Sequence, residues 1–225
     1  MTDLPYTTDP ALPDPLPDEP FGLLCAWFDE ARNRRVQPNP DAMALATVGA
    51  DGAPSVRVVL CKAIEPTIGR LTFYTNYRSR KSREIDANPR VAAVMHWDAL
   101  DRQVRVEGLA HRAGDAESDA YFRTRRLESR LGAWASDQSE PIESREALLA
   151  RVMDVMARFG VTLDDLDRGD AEIPRPPHWG GWHIVASAVE LWVGGPGRIH
   201  DRARWRRPIT DPSQPGGWSS SRLQP

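Results

Sequence analysis

Lysine is nearly absent from this 225-residue chain: of twenty-nine basic side chains only Lys62 and Lys81 are lysine, and the other twenty-seven are arginine. Cysteine is as scarce, and Cys25 and Cys61 supply neither a disulfide framework nor a structural zinc set. Both thiols are expected to be buried. No apolar run approaches the roughly 20 residues of a membrane span, and the N-terminus has no basic flank and no apolar signal core. A cytoplasmic protein with no membrane partner is the expectation. The five histidines form no H-x-x-x-H or H-E-x-x-H pattern, so a metal centre lacks its usual spacing. There is no G-x-S-x-G elbow, no G-x-G-x-x-G and no G-x-x-x-x-G-K-[ST]. A formal charge of −3 and a pI near 6.0 give no global field toward nucleic acid or anionic lipid, so any anion site must be local.

What is present suits a single globular domain or two small ones, with 40% hydrophobic and 27% charged residues. Residues 1–20 carry six prolines among acids and small residues and read as an extended or disordered arm, leaving 21–225 as the folded body. From Phe21 to Arg35, Leu23, Leu24, Trp27 and Phe28 recur at helical spacing. Short Val-, Thr- and aromatic-rich segments follow at 43–48, 55–62, 71–75, 91–97 and 103–110, with a short polar helix predicted over 79–87. Helical pattern returns over 116–125 and 142–159. The second stretch carries Leu148, Leu149, Val152, Val155, Met156 and Phe159 as a stripe expected to face the core. A polar connection over 161–178 leads to one or two strands in 182–193 and a last pair at 204–207 and 218–223. Strands, helices and strands without a βαβ rhythm predict an α+β fold around an antiparallel barrel-like sheet.

Arginine accompanied by aromatic, hydroxyl or lysine residues recurs in four segments, and anion recognition is the common theme. Arg57 and Lys62 flank a strand five residues apart, on opposite faces unless the strand bulges or ends. The run Phe73–Lys81 leaves a strand for a helix start bearing Ser79, Arg80 and Lys81, a phosphate cradle or simply a solvated basic turn. Tyr121, Arg125 and Ser129 would share one side of a continuous helix, able to grip a phosphate or to form an ordinary exposed face. On a strand, Arg198, His200 and Arg202 would share one face, cationic groups that repel unless an anion or water faces them. The two lysines are either chance survivors of an arginine-rich composition or points where a compact ammonium is required.

Taken in order, these segments resemble the pyridoxamine/pyridoxine 5′-phosphate oxidase family. The resemblance runs from about Phe21 to Pro225 and rests on PNPDAMALATV (38–48), RVVLCK (57–62), FYTNYRSRKS (73–82), NPRVA (88–92), RQVRVEG (102–108), LGAWASDQS (131–139), PPHWGGW (176–182), ELWVGGPGRIHDR (190–202) and RLQP (222–225). Both lysines fall inside these segments. The resemblance implies an antiparallel split β-barrel, the FMN-binding split-barrel fold, with flanking helices. It further implies oxidation of pyridoxamine or pyridoxine 5′-phosphate to pyridoxal 5′-phosphate with O2 as acceptor, as part of vitamin B6 cofactor synthesis.

By the same resemblance, Arg57, Val58, Val59, Leu60, Cys61, Lys62, Tyr74, Thr75, Arg80, Lys81, Gln103, Gln138, Ser139, Trp192 and Arg202 would contact FMN at a homodimer interface. Lys62, Tyr121, Arg125 and Ser129 would hold the substrate phosphate, with Arg198 and His200 facing the reacting carbon. The chain differs from the family pattern in having Arg125-Arg126-Leu127 where Arg-Pro-Arg is usual, and in an N-terminal arm offering Tyr6 but no arginine before Arg32. Two alternatives stay open: another split-barrel flavoenzyme, of the phenazine-pathway oxidase or deazaflavin reductase type, and a non-catalytic flavin or pyridoxal phosphate carrier. Nucleic acid is not an expected partner.

Overall fold

A computed structural model describes residues 11–169, 171–213 and 215–225, so Tyr6 and the first half of the expected arm lie outside the described residues. Among the described residues, nine strands pair antiparallel in one sheet: β1 (Ala42–Val48), β2 (Pro54–Leu60), β3 (Ala63–Glu65), β4 (Arg70–Asn76), β5 (Arg90–Trp97), β6 (Arg102–Arg112), β7 (Trp179–Val193), β8 (Asp201–Arg206) and β9 (Ser219–Leu223). The order is β2-β1-β5-β6-β7-β4-β3, with β8 also on β7 and β9 on β8. Alternation on β1 and β5 puts Met43, Leu45, Val91, Ala93 and Met95 inside, whereas β7 is buried on nearly every residue because both its faces are covered.

Two backbone details curl this sheet. After β2 the amide of Cys61 donates to Asp41 O and the next amide, Lys62, donates to Thr72 O, both at 2.8 Å. Successive residues thus step from the β1 side to β4, drawing the two ends of the sheet order together. The second detail is a fork. β7 pairs with β6 along one edge, while its other edge serves β4 up to Val185 and β8 from Ala188 onward. In the gap, Arg207 donates to Ala186 O at 2.7 Å and Ile68 O at 2.6 Å, with Trp218 under its guanidinium at 4.2 Å. Opposite the gap the β6–β7 register shifts between Glu107 and Gly108.

The flanking helices are α1 (Phe21–Arg34), α2 (Arg80–Ala87), α3 (Asp115–Arg123), α4 (Leu127–Ala135), α5 (Arg145–Phe159) and α6 (Leu163–Arg168). Phe21, Leu24, Trp27, Phe28 and Ala31 bury one stripe of α1 against the barrel. Helix α2 is different: its buried face carries Lys81, Ser82 and Glu84 beside Ile85. Leu127, Leu131, Met156, Val161 and Ile173 make a second, smaller core among α4, α5 and the following segment. No helix among the described residues is long and apolar enough to cross a membrane.

The structure corrects several expectations. Helix α3 matches the 116–125 expectation, but the condition under which Tyr121, Arg125 and Ser129 would share one helix side is not met: the Thr124 hydroxyl bonds back to Tyr121 O at 2.8 Å, and Arg126 is extended (ψ 146°) as the cap of α4. The α5 stripe is only partly core, since Met156 is buried while Leu148 and Leu149 are exposed, the apolar arc being wider than the surface α5 packs on. The 161–178 connection contains α6, started by a Thr162/Asp165 capping box. Arg198, His200 and Arg202 do not share a strand face. Pro196–Arg198 is a 3-10 turn, Arg198 has φ 64°, and β8 begins at Asp201. Cys61 is buried, whereas Cys25 is half-buried.

At Gly108 an added Cβ would lie 2.2 Å from Val185 O, inside the bulge that faces the fork. Gly108→Ala is therefore expected to destabilise the fold by about 2 kcal/mol or more. Denaturant unfolding checks this, and an unchanged midpoint would contradict the role given to the bulge.

Candidate active site

A cavity of about 690 Å³ opens where β2, β4, α2, α3 and α4 meet. Its walls include Val58, Val59 and Leu60 from the end of β2, Lys62 at the seam, and Tyr74, Thr75 and Asn76 from β4. Lys81 enters from α2, Tyr121 from α3, and Arg125 and Arg126 from the break before α4; Ser129, Gln138 and Trp179 complete the wall.

One pole is built around Lys81, which is 8% exposed. Its ammonium donates to Gln138 Oε1 at 2.8 Å, Thr75 Oγ1 at 3.0 Å and Ser79 Oγ at 3.2 Å. All three acceptors are neutral, so nothing in its shell cancels the charge. Burial, and to a smaller extent the Arg57 guanidinium, pull its pKa down to about 8. On the same helix, Glu84 anchors α2 to the barrel through Thr47 Oγ1 (2.5 Å), Ser55 Oγ (2.6 Å) and Arg57 Nη2 (3.1 Å), and also accepts Arg80 Nε from its own helix (2.8 Å). Burial raises the Glu84 carboxyl, but these donors outweigh it and hold the group at about 2.

The other pole is Arg125. Its guanidinium lies 4.5 Å above the Trp179 ring, and its buried Nη1 has no hydrogen-bond partner among the described residues. Burial pulls its pKa down. Tyr74, Tyr121 and Trp179 are almost parallel, Tyr74 and Tyr121 stacking at 3.8 Å and 10°. Despite the break between α3 and α4, Tyr121, Arg125 and Ser129 all line one cavity, from three different backbone environments. Lys62 also lines the cavity, its Nζ on Asp41 Oδ2 at 2.7 Å.

The remaining residues named from the sequence lie elsewhere. Arg57 turns to Glu84, Ser55 and Thr47. Cys61 points into the main core, and burial pushes its thiol up to about 12. Arg80 is exposed on Glu84; its amide donates to the hydroxyl of Ser139, which has φ 77°. Gln103, Trp192, Arg198, His200 and Arg202 form a separate group. Trp192 pairs in register with both Gln103 and Arg202, and its ring is 4.7 Å from His200. His200 Nδ1 accepts the Gly195 amide at 3.1 Å, and Arg202 donates to Glu190 at 2.7 Å. Tyr74 pairs with Gly181, eleven residues before Trp192 on the same strand, so this group is roughly 35 Å along β7 from the cavity. Trp179, Asn76, Arg126 and Ser136 are cavity residues that sequence reading does not single out. Trp179 stands in the PPHWGGW segment, but nothing in that segment indicates that its ring would carry Arg125.

A curled antiparallel sheet with flanking helices defines a split-barrel protein, here with cationic side chains on the cavity at its rim. Residues 29–158 match the family model for pyridoxamine 5′-phosphate oxidase, and residues 179–225 match that for the pyridoxine 5′-phosphate oxidase C-terminal dimerisation region. The chain belongs to the pyridoxamine 5′-phosphate oxidase family, a family of oxidoreductases. It is 50% identical over 206 residues to a pyridoxine/pyridoxamine 5′-phosphate oxidase of Bordetella avium, covering 92% of this chain and 89% of that protein. With the protein of the same name from Cereibacter sphaeroides it shares 47% over 209 residues, covering 92% and 96%. Among solved structures, PhzG from Burkholderia lata, crystallised with tetrahydrophenazine-1-carboxylic acid, is 31% identical with a TM-score of 0.81, covering 97% and 99%.

Because Lys81 carries its charge below about pH 8 and loses it above, inorganic phosphate is expected to raise the melting temperature more at pH 7 than at pH 9.5. In Lys81→Met the rise at pH 7 should shrink and its pH dependence flatten. A phosphate response identical to that of the unaltered protein would show that the ammonium is not an anion site.

Proposed function

We propose that the protein oxidises pyridoxamine 5′-phosphate and pyridoxine 5′-phosphate to pyridoxal 5′-phosphate, with FMN as cofactor and O2 as acceptor. The observation that carries this reading is a single cavity with two separate, uncompensated cations, Lys81 and Arg125, one for each of two phosphate-bearing ligands. The names of the relatives support it, as does the fold shared with a pyridoxamine 5′-phosphate oxidase-related, FMN-binding protein from Nostoc punctiforme, at a TM-score of 0.67 and 18% identity.

The residues present suit FMN: a buried ammonium among neutral oxygens for the phosphate, and apolar Val58, Val59 and Leu60 with Tyr74 for a flat ring. The chemistry bound FMN supplies is hydride acceptance from the substrate's C4′ and reoxidation by O2 to hydrogen peroxide. The alcohol balances as substrate plus O2 giving aldehyde plus H2O2. The amine also takes up one water and releases ammonia. Lys81, with Thr75 and Gln138, would fix the cofactor phosphate, and the Arg80 and Ser139 contact would hold the start of α2 in place. Arg125 with Lys62, Tyr121 and Ser129 would clamp the substrate phosphate, fixing the position of the pyridine ring.

The group at the far end of β7 serves a second copy of the chain in this reading. Gln103, Trp192 and Arg202 would complete the partner's cofactor site, and Arg198 and His200 would face its substrate, Arg198 steering it and stabilising developing charge. The match of residues 179–225 to a dimerisation region supports a homodimer. Residues 21–225 then act as one oxidase domain preceded by an arm. A cytoplasmic location suits this chemistry.

PhzG similarity supports one other reading, oxidation of a fused-ring carboxylate. Anaerobic mixing separates the two: pyridoxamine 5′-phosphate should bleach the flavin absorbance, and tetrahydrophenazine-1-carboxylic acid should do so far more slowly. The reverse order overturns the proposal. Arg125→Ala should raise KM for pyridoxine 5′-phosphate at least about tenfold with FMN affinity unchanged, and equal losses would show the clamp misassigned. Arg198→Ala should slow single-turnover flavin reduction with FMN still bound; an unchanged rate would remove that residue from the chemistry.

A further inference from the structure

Of the three inner cations on the cavity wall, Lys62 differs from Lys81 and Arg125 in facing a carboxylate among the described residues. Its partner, Asp41, sits on the seam of the barrel. Asp41 O accepts the Cys61 amide at 2.8 Å, and the preceding carbonyl, Pro40 O, accepts Trp97 Nε1 at 2.8 Å. Lys62 is fixed from the other side by its amide on Thr72 O. The pair is thus held by backbone at both ends. Their side chains are 19% and 28% exposed, sheltered enough for water to screen the charges incompletely.

We propose that Asp41 is a specificity-tuning counter-charge that competes with the substrate phosphate for Lys62 and limits affinity for phosphate esters. A phosphate on Lys62 brings a dianion to the ammonium that already holds the Asp41 carboxylate, so attraction to Lys62 is offset by repulsion from Asp41. The proposal rests on the reading of Lys62 and Arg125 as the substrate phosphate clamp. Its value to the reaction follows from the substrate: the phosphate is unchanged between reactant and product. Tight binding of an unchanged group lowers KM without raising kcat and retards product release. Asp41 weakens this uniform binding at one of the cations, leaving Lys81 at full strength for a ligand that stays bound.

The test is equilibrium binding of pyridoxal 5′-phosphate and of unphosphorylated pyridoxal to the FMN-loaded protein. Asp41→Asn should tighten binding of the phosphate ester about tenfold, ~1.4 kcal/mol, and leave pyridoxal unchanged. Asp41→Glu, which keeps the charge, should bind both like the unaltered protein. KM for pyridoxine 5′-phosphate should fall with the Kd while kcat stays level or drops. FMN content and melting temperature confirm that Asp41→Asn is folded; if it is not, Asp41→Ser carries the same test. Equal or weaker binding of the ester by the folded variant, with Arg125→Ala still weakening it, overturns the role of Asp41 alone. Equal tightening of pyridoxal also overturns it. If Arg125→Ala leaves ester affinity unchanged, the clamp is misplaced and the proposal falls with it.

Discussion

The molecule is organised around an ammonium kept from water without a counter-ion. Lys81 is costly to bury, and an isolated buried charge of this kind loses several kcal/mol relative to a solvated one. The surrounding structure is what makes it tolerable. Thr75, Ser79 and Gln138 supply neutral oxygens, and Glu84, on the same helix as Lys81, anchors α2 to β1 and β2 through three donors, Thr47, Ser55 and Arg57. The carboxylate that could have neutralised Lys81 is instead engaged by Arg57, Arg80 and two hydroxyls. The arrangement leaves the positive charge without a carboxylate partner, as the proposed function requires, and places the negative charge where it fastens the scaffold.

The second constraint is the length of β7. One unbroken strand carries the aromatic floor of the cavity at Trp179 and the Trp192 group at its other end. Roughly 43 Å of extended chain separates them along the strand, far beyond the length of any single small ligand. The two groups are thus halves of a site only if a second copy supplies the missing half, which is why the proposed function needs a dimer.

Much of this was legible in the residues. Alternation and helical spacing located most of the strands and α1, because those patterns report directly on one buried face. Lys62 and Lys81 stood out because an ammonium is conspicuous among arginines, and both lie on the cavity. What was not legible depended on contacts between distant segments. The break at Thr124 is a local hydroxyl-to-carbonyl bond that composition does not favour over a continuous helix, and the Arg198 turn follows from Pro196 and Gly197 overriding an apparent alternation. Leu148 and Leu149 look like core by spacing alone, which cannot report how wide a surface α5 meets. Glu84 and Asp41 gave no signal because a carboxylate in a polar segment looks solvated until its partners are placed.

The fork in β7 shows what a sheet must do where its ladder runs out. Between β4 and β8 two amides still reach across, Ala186 to Gly69 O and Arg207 to Ser187 O, and the side chain of Arg207 supplies further donors to the carbonyls of Ile68 and Ala186. A guanidinium is flat and carries five donors in a rigid fan, so it can serve several divergent oxygens and still lie against Trp218. An ammonium is neither flat nor able to stack in the same way. At this one position, then, the arginine bias of the chain has an architectural use: a side chain here acts as a piece of main chain, joining two segments across the split while it lies on an indole.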